Sequence, residues 1–154
     1  MSRSKEEMLA SQRIQRAREA LGLSVERVAA ELSLGLPWYR DLEANSEEVF
    51  SNISLAHLQL LAYALQVEPA RILLGDAATA LNRRGEFGEV KMALNDKMKA
   101  LALNPEALSE RVGWDVREVL VDSQELWNFT VDGLRDVCNF AEVDWLSVLP
   151  GLPK

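Results

Sequence analysis

The stretch from Leu23 to Asn45 constrains the fold more than any other part of the chain. It reads L-S-V-E-R-V-A-A-E-L-S-L-G-L-P-W-Y-R-D-L-E-A-N. Ser24 can accept a hydrogen bond from a free backbone N–H at the start of a helix, and apolar residues follow at helical spacing. Pro37 suits the first position of a second helix, where its missing N–H is not needed. The stretch therefore predicts two short helices joined by a turn at 33–35, with Leu34 plugging the space between them.

This pattern resembles the helix-turn-helix of the Cro/phage-repressor (xenobiotic-response-element) family, L-[ST]-Q-x-x-[LV]-A-x-x-x-G-[VI]-S-x-x-x-[IV]-S-x-[LI]-E-x-G. A second motif of that family, S-L-x-x-L-x-x-[LI]-A-x-A-L-x-V, is matched by residues 54–67. The resemblance as a whole covers roughly half of the chain. The resemblance implies an all-α, lambda-repressor-like five-helix bundle. It also implies a DNA-binding transcription regulator that occupies two-fold operator sites as a homodimer.

The rest of the first half supplies the other helices of such a bundle. We expect a first helix over 6–21, a polar, acidic loop over 45–52, a helix from Ser54 to about residue 66, and a short helix from Pro69 to near Gly75. The residues expected to point inward are Leu9, Ile14, Ala17 and Leu21 of the first helix, Val28, Ala29 and Leu32 of the second, Tyr39 and Leu42 of the third, and Ile72 and Leu73 of the last.

The second half repeats this pattern, which predicts two units in tandem. Val90, Leu94, Met98 and Leu101 form a stripe like that of the first helix, and Asn104 takes the capping position of Ser24. Further on, Leu134, Val137, Cys138 and Ala141 repeat the pattern of the helix that follows Ser54, and Leu146 and Leu149 that of the last helix. We therefore predict a helix-turn-helix domain over residues 1–75, a linker over 76–88, and a diverged second repressor-like domain over 89–154.

Charge argues against a strongly basic surface. The chain carries a net charge of -7, divided into -2 for residues 1–75 and -5 for residues 76–154. Domains that bind DNA are usually basic over the contact surface. In the second unit, the segment corresponding to the DNA-reading helix begins with Asp115 and includes Glu118, which would lie near phosphates. That unit is predicted to serve in self-association, partner binding or packing against the first.

Two interpretations of the first unit follow. In the family, the second helix of the motif enters the major groove; here the DNA-contacting candidates are Arg13, Ser24, Arg27, Leu36, Trp38 and Arg40. Of the residues at the front of that helix, only Arg40 offers the donors that distinguish bases, and Val25 replaces a family Gln that contacts phosphate or base. The alternative is a protein-interaction module in which Leu36 and Trp38 are the anchors. Trp38 folded back onto Val49 and Phe50 would remove that alternative.

Catalysis and metal binding have no support in the sequence. His57 has no acid, thiol or serine partner at motif spacing, and one histidine with one cysteine, Cys138, cannot form a structural zinc site. We expect no enzyme activity and no cofactor. The N-terminal residues lack the apolar core of a signal peptide, no apolar run approaches membrane-spanning length, and a lone cysteine fits a reducing compartment. These features predict a cytoplasmic protein.

Overall fold

The computed structural model describes the backbone of residues 5–80 and 85–152, and side chains from residue 10 to 78 and from 85 to 152. These ranges are helical and contain no strand, which confirms the predicted all-α class. None of the helices in them is long and apolar enough to span a bilayer. The α-helices of the described residues are α1 (Lys5–Ala20), α2 (Val25–Glu31), α3 (Leu36–Ala44), α4 (Ser46–Ser51), α5 (Leu55–Leu65), α6 (Pro69–Leu74), α7 (Phe87–Ala100), α8 (Pro105–Val112), α9 (Val131–Ala141) and α10 (Trp145–Val148). The two 3-10 helices there are Gly75–Ala80 and Ser123–Asn128.

The predicted caps form in the first half. The Ser24 hydroxyl accepts a hydrogen bond from the Arg27 amide at 3.0 Å, and the Ser54 hydroxyl accepts one from the His57 amide at 3.1 Å. Each side chain satisfies a backbone donor that has no partner within its own helix. Pro37 occupies the second position of α3 rather than the first, because the helix begins at Leu36.

The predicted loop at 45–52 is wrong, because most of it forms α4. The Asn45 side chain caps this helix by accepting a hydrogen bond from the Glu47 amide at 3.0 Å. Val49 and Phe50 are buried in the core, and carboxylates at the helix start interact favourably with its dipole. Burial of these two side chains stabilises a segment whose composition alone indicates a loop.

Leu21 was predicted to point inward, and this is also wrong: 41% of its surface is exposed. Helix α1 ends one residue before it, and the backbone turns through Gly22, whose φ is +68°. Leu101 occupies the corresponding place after α7 and is 43% exposed. In both halves the apolar stripe ends where the helix ends. Leu9 lies outside the residues whose side chains the structure describes.

The two helices that the predicted repeat aligns, α5 and α9, share backbone features. Helices α5 and α9 have 11 residues each, and they end in left-handed residues, Gln66 at φ 57° and Glu142 at φ 61°. Thr130 caps α9 as Ser54 caps α5, by accepting the Gly133 amide at 3.1 Å. Among the last residues, Val148 and Leu149 are buried, whereas Leu146, predicted to be inward, is only partly buried.

One element of the repeat is missing. Where the first half has α3, the second has the turns of segment 115–121, in which the Leu120 amide donates to the Val116 carbonyl at 3.0 Å. Val116 and Val119 are buried, so the segment still covers the core. It presents no helix that could enter a groove.

The two halves share one hydrophobic core, and they contact each other reciprocally. Helix α4 packs against α9, while the 3-10 helix Ser123–Asn128, which follows the missing element as α4 follows α3, packs against α5. Reciprocal contacts of this kind are typical of a two-fold interface between identical subunits. The Leu55 amide donates to the Phe129 carbonyl at 2.8 Å, and the Ser51 hydroxyl donates to Asp132 at 2.7 Å.

The predicted linker over 76–88 is helical at both ends. Its beginning lies in the 3-10 helix Gly75–Ala80, and Phe87 is the buried first residue of α7. The Gly85 amide donates to the Ser147 carbonyl at 2.9 Å. Residues 81–84 lie outside the described residues.

A largely buried ion pair holds α3 in place. Arg18 of α1 donates to both carboxylate oxygens of Glu43, at 2.6 and 3.0 Å, and these side chains are only 13% and 11% exposed. The Tyr39 hydroxyl donates to the same carboxylate at 2.6 Å. The hydrogen bond from Arg18 to Glu43 raises the pKa of Arg18. Burial and, after it, the hydrogen bond from Tyr39 to Glu43 raise the pKa of Tyr39 above its ordinary value. Tyr39 and Glu43 lie on the same face of α3, four residues apart. The network joins this face to α1, and so it fixes which face of α3 points outward.

We predict that Glu43→Gln destabilises the fold by about 2–3 kcal/mol, because it leaves the Arg18 guanidinium largely buried without its counter-charge. Glu31→Gln removes an equal charge from an exposed pair and should cost under about 1 kcal/mol. Urea unfolding followed by circular dichroism measures both changes. Equal small losses in the two variants would contradict the role given to the buried pair.

Candidate interaction face of helix α3

The turn between α2 and α3 is tight and closes as the motif requires. The Leu34 amide donates to the Ala29 carbonyl at 3.0 Å, and Leu34 is buried as the predicted plug. Ser33 has a left-handed backbone, with φ at +55°. The resembled motif places glycine at this position, and glycine adopts such a φ without steric cost.

Helix α3 divides cleanly into an inner and an outer side. Tyr39 and Leu42 are buried, as predicted. The outer side, called here the α3 face, consists of its exposed residues, Gly35, Pro37, Trp38, Arg40 and Asp41. Leu36, a candidate in both interpretations, is partly buried against the core and contributes only an edge to this face.

Trp38 is the dominant feature of the α3 face. It is 44% exposed, so its indole is not folded back into the core as the competing interpretation required. Val49 and Phe50, onto which it would have folded, are buried in the shared core. A large aromatic side chain at the front of an outward-facing helix remains available for contact.

Two of the three arginines expected to contact DNA, Arg27 and Arg40, lie beside carboxylates. Arg40 is 3.8 Å from Glu26, and Arg27 is 3.2 Å from Glu31, all on exposed parts of α2 and α3. Exposed pairs of this kind contribute about 0–1 kcal/mol each. They nevertheless cancel most of the positive potential that would attract a phosphate backbone. Asp41 adds a further negative charge to the same surface.

Arg13 has a different place from the one predicted. It is partly buried, and its guanidinium donates to the Ile72 carbonyl of α6 at 3.0 Å. A Cβ atom added at Gly75, whose φ is +66°, would lie 2.7 Å from Arg13 Nη2. The side chain therefore fills the space beside the end of α6 and stabilises the fold there, away from the α3 face. The hydroxyl of Ser24 is likewise occupied by the cap of α2.

Three aromatic residues of the second half, Trp114, Trp127 and Phe129, pack against the core. Trp127 packs edge-on against Phe87, with ring centroids 5.3 Å apart. Trp114, which corresponds to Leu34, lies 6.0 Å from Phe129. Trp127 and Phe129 are both partly buried.

The groups that could suggest other chemistry lie apart from one another. His57 bonds the Ser54 hydroxyl through Nδ1 at 3.2 Å, within the helix cap. Cys138 is buried, and burial, with the charge of Asp144, raises its pKa to about 12. No group of three or more potential metal ligands occurs among the residues described.

Comparison with known proteins gives no match: no family model, no curated protein and no solved structure is significantly similar to this chain. The α3 face therefore has to be interpreted from its own geometry. The sequence analysis did not identify the carboxylates that pair with Arg27 and Arg40. The spacing of Arg27 and Glu31, four residues apart on one helix, was a usable signal, whereas the pair between Glu26 and Arg40 depends on how α2 meets α3.

We predict that Ser33→Gly stabilises the protein by about 0.5–1 kcal/mol, because relief of the left-handed strain outweighs the extra chain entropy of glycine. Ser33→Ala, which keeps the strain, is the matched control and should give no such gain. Thermal unfolding of the two variants measures the difference. A lower melting temperature for Ser33→Gly would show that the serine is better suited to this turn.

Proposed function

We propose that this protein is a non-catalytic binding module, built on two repressor-like units, whose α3 face contacts another protein. The exposure of Trp38 at the front of α3 carries this proposal. Tryptophan is enriched among the residues that dominate binding energy at protein interfaces. Its ring has a large apolar area and loses little conformational entropy on binding.

The framework supports a binding role. Capped α2, the turn with the Leu34 plug, and outward-facing α3 reproduce the arrangement in which repressor-like proteins present a helix to a ligand. The buried pair of Arg18 and Glu43 fixes that presentation without using any residue of the α3 face. A rigid helix with a free outer side is well suited to recognition.

The charges around the face favour a protein over DNA. Arg27 and Arg40 are balanced by Glu31 and Glu26, and Asp41 is exposed beside them. A duplex would have to separate both pairs and approach a chain of net charge -7. A protein partner with an apolar recess for Trp38 and basic groups around it would meet complementary charge instead.

On our proposal, the second unit supports the first. Its reciprocal contacts with the first occupy, within one chain, the kind of two-fold surface that a repressor dimer forms between chains. We infer that the unit lost its own α3 because it stabilises the first rather than contacting the ligand.

Photo-crosslinking at the α3 face tests the proposal. We expect a photoreactive phenylalanine analogue at Trp38 to form one discrete protein adduct in cells, and the same analogue at Tyr63, an exposed aromatic of α5, to form none. With the partner identified from that adduct, Trp38→Ala should cost about 2 kcal/mol or more of binding free energy, roughly thirtyfold in affinity. Identical patterns at the two positions would reject the α3 face as the interface.

DNA remains the second candidate, favoured by the helix-turn-helix arrangement and by the looseness of the pair between Arg40 and Glu26. On our proposal, fluorescence anisotropy with random duplex DNA shows no binding even at low salt. On the DNA hypothesis, affinity falls steeply as salt rises, and Arg40→Ala reduces the logarithmic salt slope by roughly 1. Arg71→Ala, at an exposed position of α6, is the control that should leave that slope unchanged.

A further inference from the structure

A cavity of about 340 Å³ opens in the second half at the site of the missing helix. Trp114 and Phe129 form part of its wall. Their counterparts in the first half, Leu34 and Ile53, are buried, whereas Trp114 and Phe129 are only partly buried. The cavity is therefore a consequence of replacing α3 by the turns of segment 115–121.

The aromatic part of the wall is held in a fixed orientation. The two ring centroids are 6.0 Å apart, and the ring planes are inclined at 38°. The Trp114 indole N–H donates to Asp136 at 3.0 Å. A Cβ atom added at Gly133 would lie only 3.1 and 3.3 Å from the nearest ring atoms of Phe129 and Trp114, so both rings pack closely on this glycine. The cavity is thus walled in part by two aromatic rings packed against each other rather than by a mobile apolar patch.

Three carboxylates, of Asp115, Glu118 and Glu125, also line the cavity. They differ in the hydrogen-bond partners that they have. Asp115 receives two hydrogen bonds from Arg117, both at 2.9 Å. Glu125 accepts one from the Asn128 amide at 3.1 Å. The Glu118 carboxylate has no hydrogen bond or ion pair within the described part of the chain. The residues that line the cavity include no lysine or arginine. Arg117, outside the lining, balances Asp115, so a ligand would meet the negative charge of Glu118 and Glu125.

We propose that this cavity binds an arginine side chain of a basic protein segment. A guanidinium plane stacks on Trp and Phe faces and is attracted by their quadrupoles. Its N–H groups form a fork that can reach Glu118 and Glu125 together. An apolar ligand would leave those carboxylates desolvated without partners, and an anion would be repelled. The site lies on the second unit and does not depend on Trp38, so its test is independent of the test of the function proposed above.

Isotope-edited NMR with short peptides tests the proposal. We expect an amidated tetra-arginine peptide to shift the Trp114 indole N–H and the Glu118 amide saturably, with tetra-lysine weaker and length-matched tetra-glutamine inactive. Trp114→Phe assigns the indole signal. Glu118→Gln should weaken tetra-arginine binding about three- to tenfold. Glu19→Gln, an equal loss of charge on exposed α1, should not change it, and Trp38→Ala should leave it intact.

Three results would overturn the inference. The first is the absence of a saturable shift at Trp114 with tetra-arginine. The second is an equal loss of affinity in Glu118→Gln and Glu19→Gln, which would show diffuse attraction to an acidic chain. The third is binding of tetra-lysine as tight as that of tetra-arginine, which would remove the guanidinium from the assignment.

Discussion

The ion pair between Arg18 and Glu43 is the interaction on which the rest of the structure depends. Removing two charges from water is expensive, and only close geometry with additional hydrogen bonds compensates for it. Here Glu43 receives both guanidinium bonds and the Tyr39 hydroxyl. Since Tyr39 and Glu43 belong to α3 and Arg18 to α1, the pair is satisfied in one orientation of α3 only. That orientation exposes Trp38.

The relation between the halves extends this constraint. Two units with reciprocal contacts bury, within one chain, a surface of the kind that separate subunits bury when they form a two-fold dimer. Once the second unit contributes mainly through that interface, its own α3 is no longer required for recognition. Replacing α3 by the turns of segment 115–121 keeps Val116 and Val119 in the core and opens a cavity walled by Trp114 and Phe129. On our proposals, the second half lacks the contact surface that α3 provides in the first half and has the cavity in its place.

Local patterns in the sequence were sufficient for the framework. Caps at Ser24, Ser54 and Asn104 depend on residues three positions away, and apolar spacing identified the inner sides of the helices. Features that arise between elements could not be obtained in this way. Helix α4 is a polar segment that becomes helical because distant residues cover Val49 and Phe50, and the position of Arg13 depends on where α6 ends. Function is still harder to predict from local patterns, because the charge balance of a surface depends on how the helices assemble.

The residues that hold the fold and those that could bind a ligand form two separate sets. Tyr39, Leu42 and Glu43 of α3 face the core, while Trp38 and Arg40 lie on its exposed side. Substitutions on the outer side therefore change stability by only about 0.5 kcal/mol, and the ligand can change while the framework is preserved. For the same reason an intact helix-turn-helix pattern is weak support for DNA binding. The recognised ligand has to be inferred from the outer residues, and in this protein they present an exposed indole beside balanced charges.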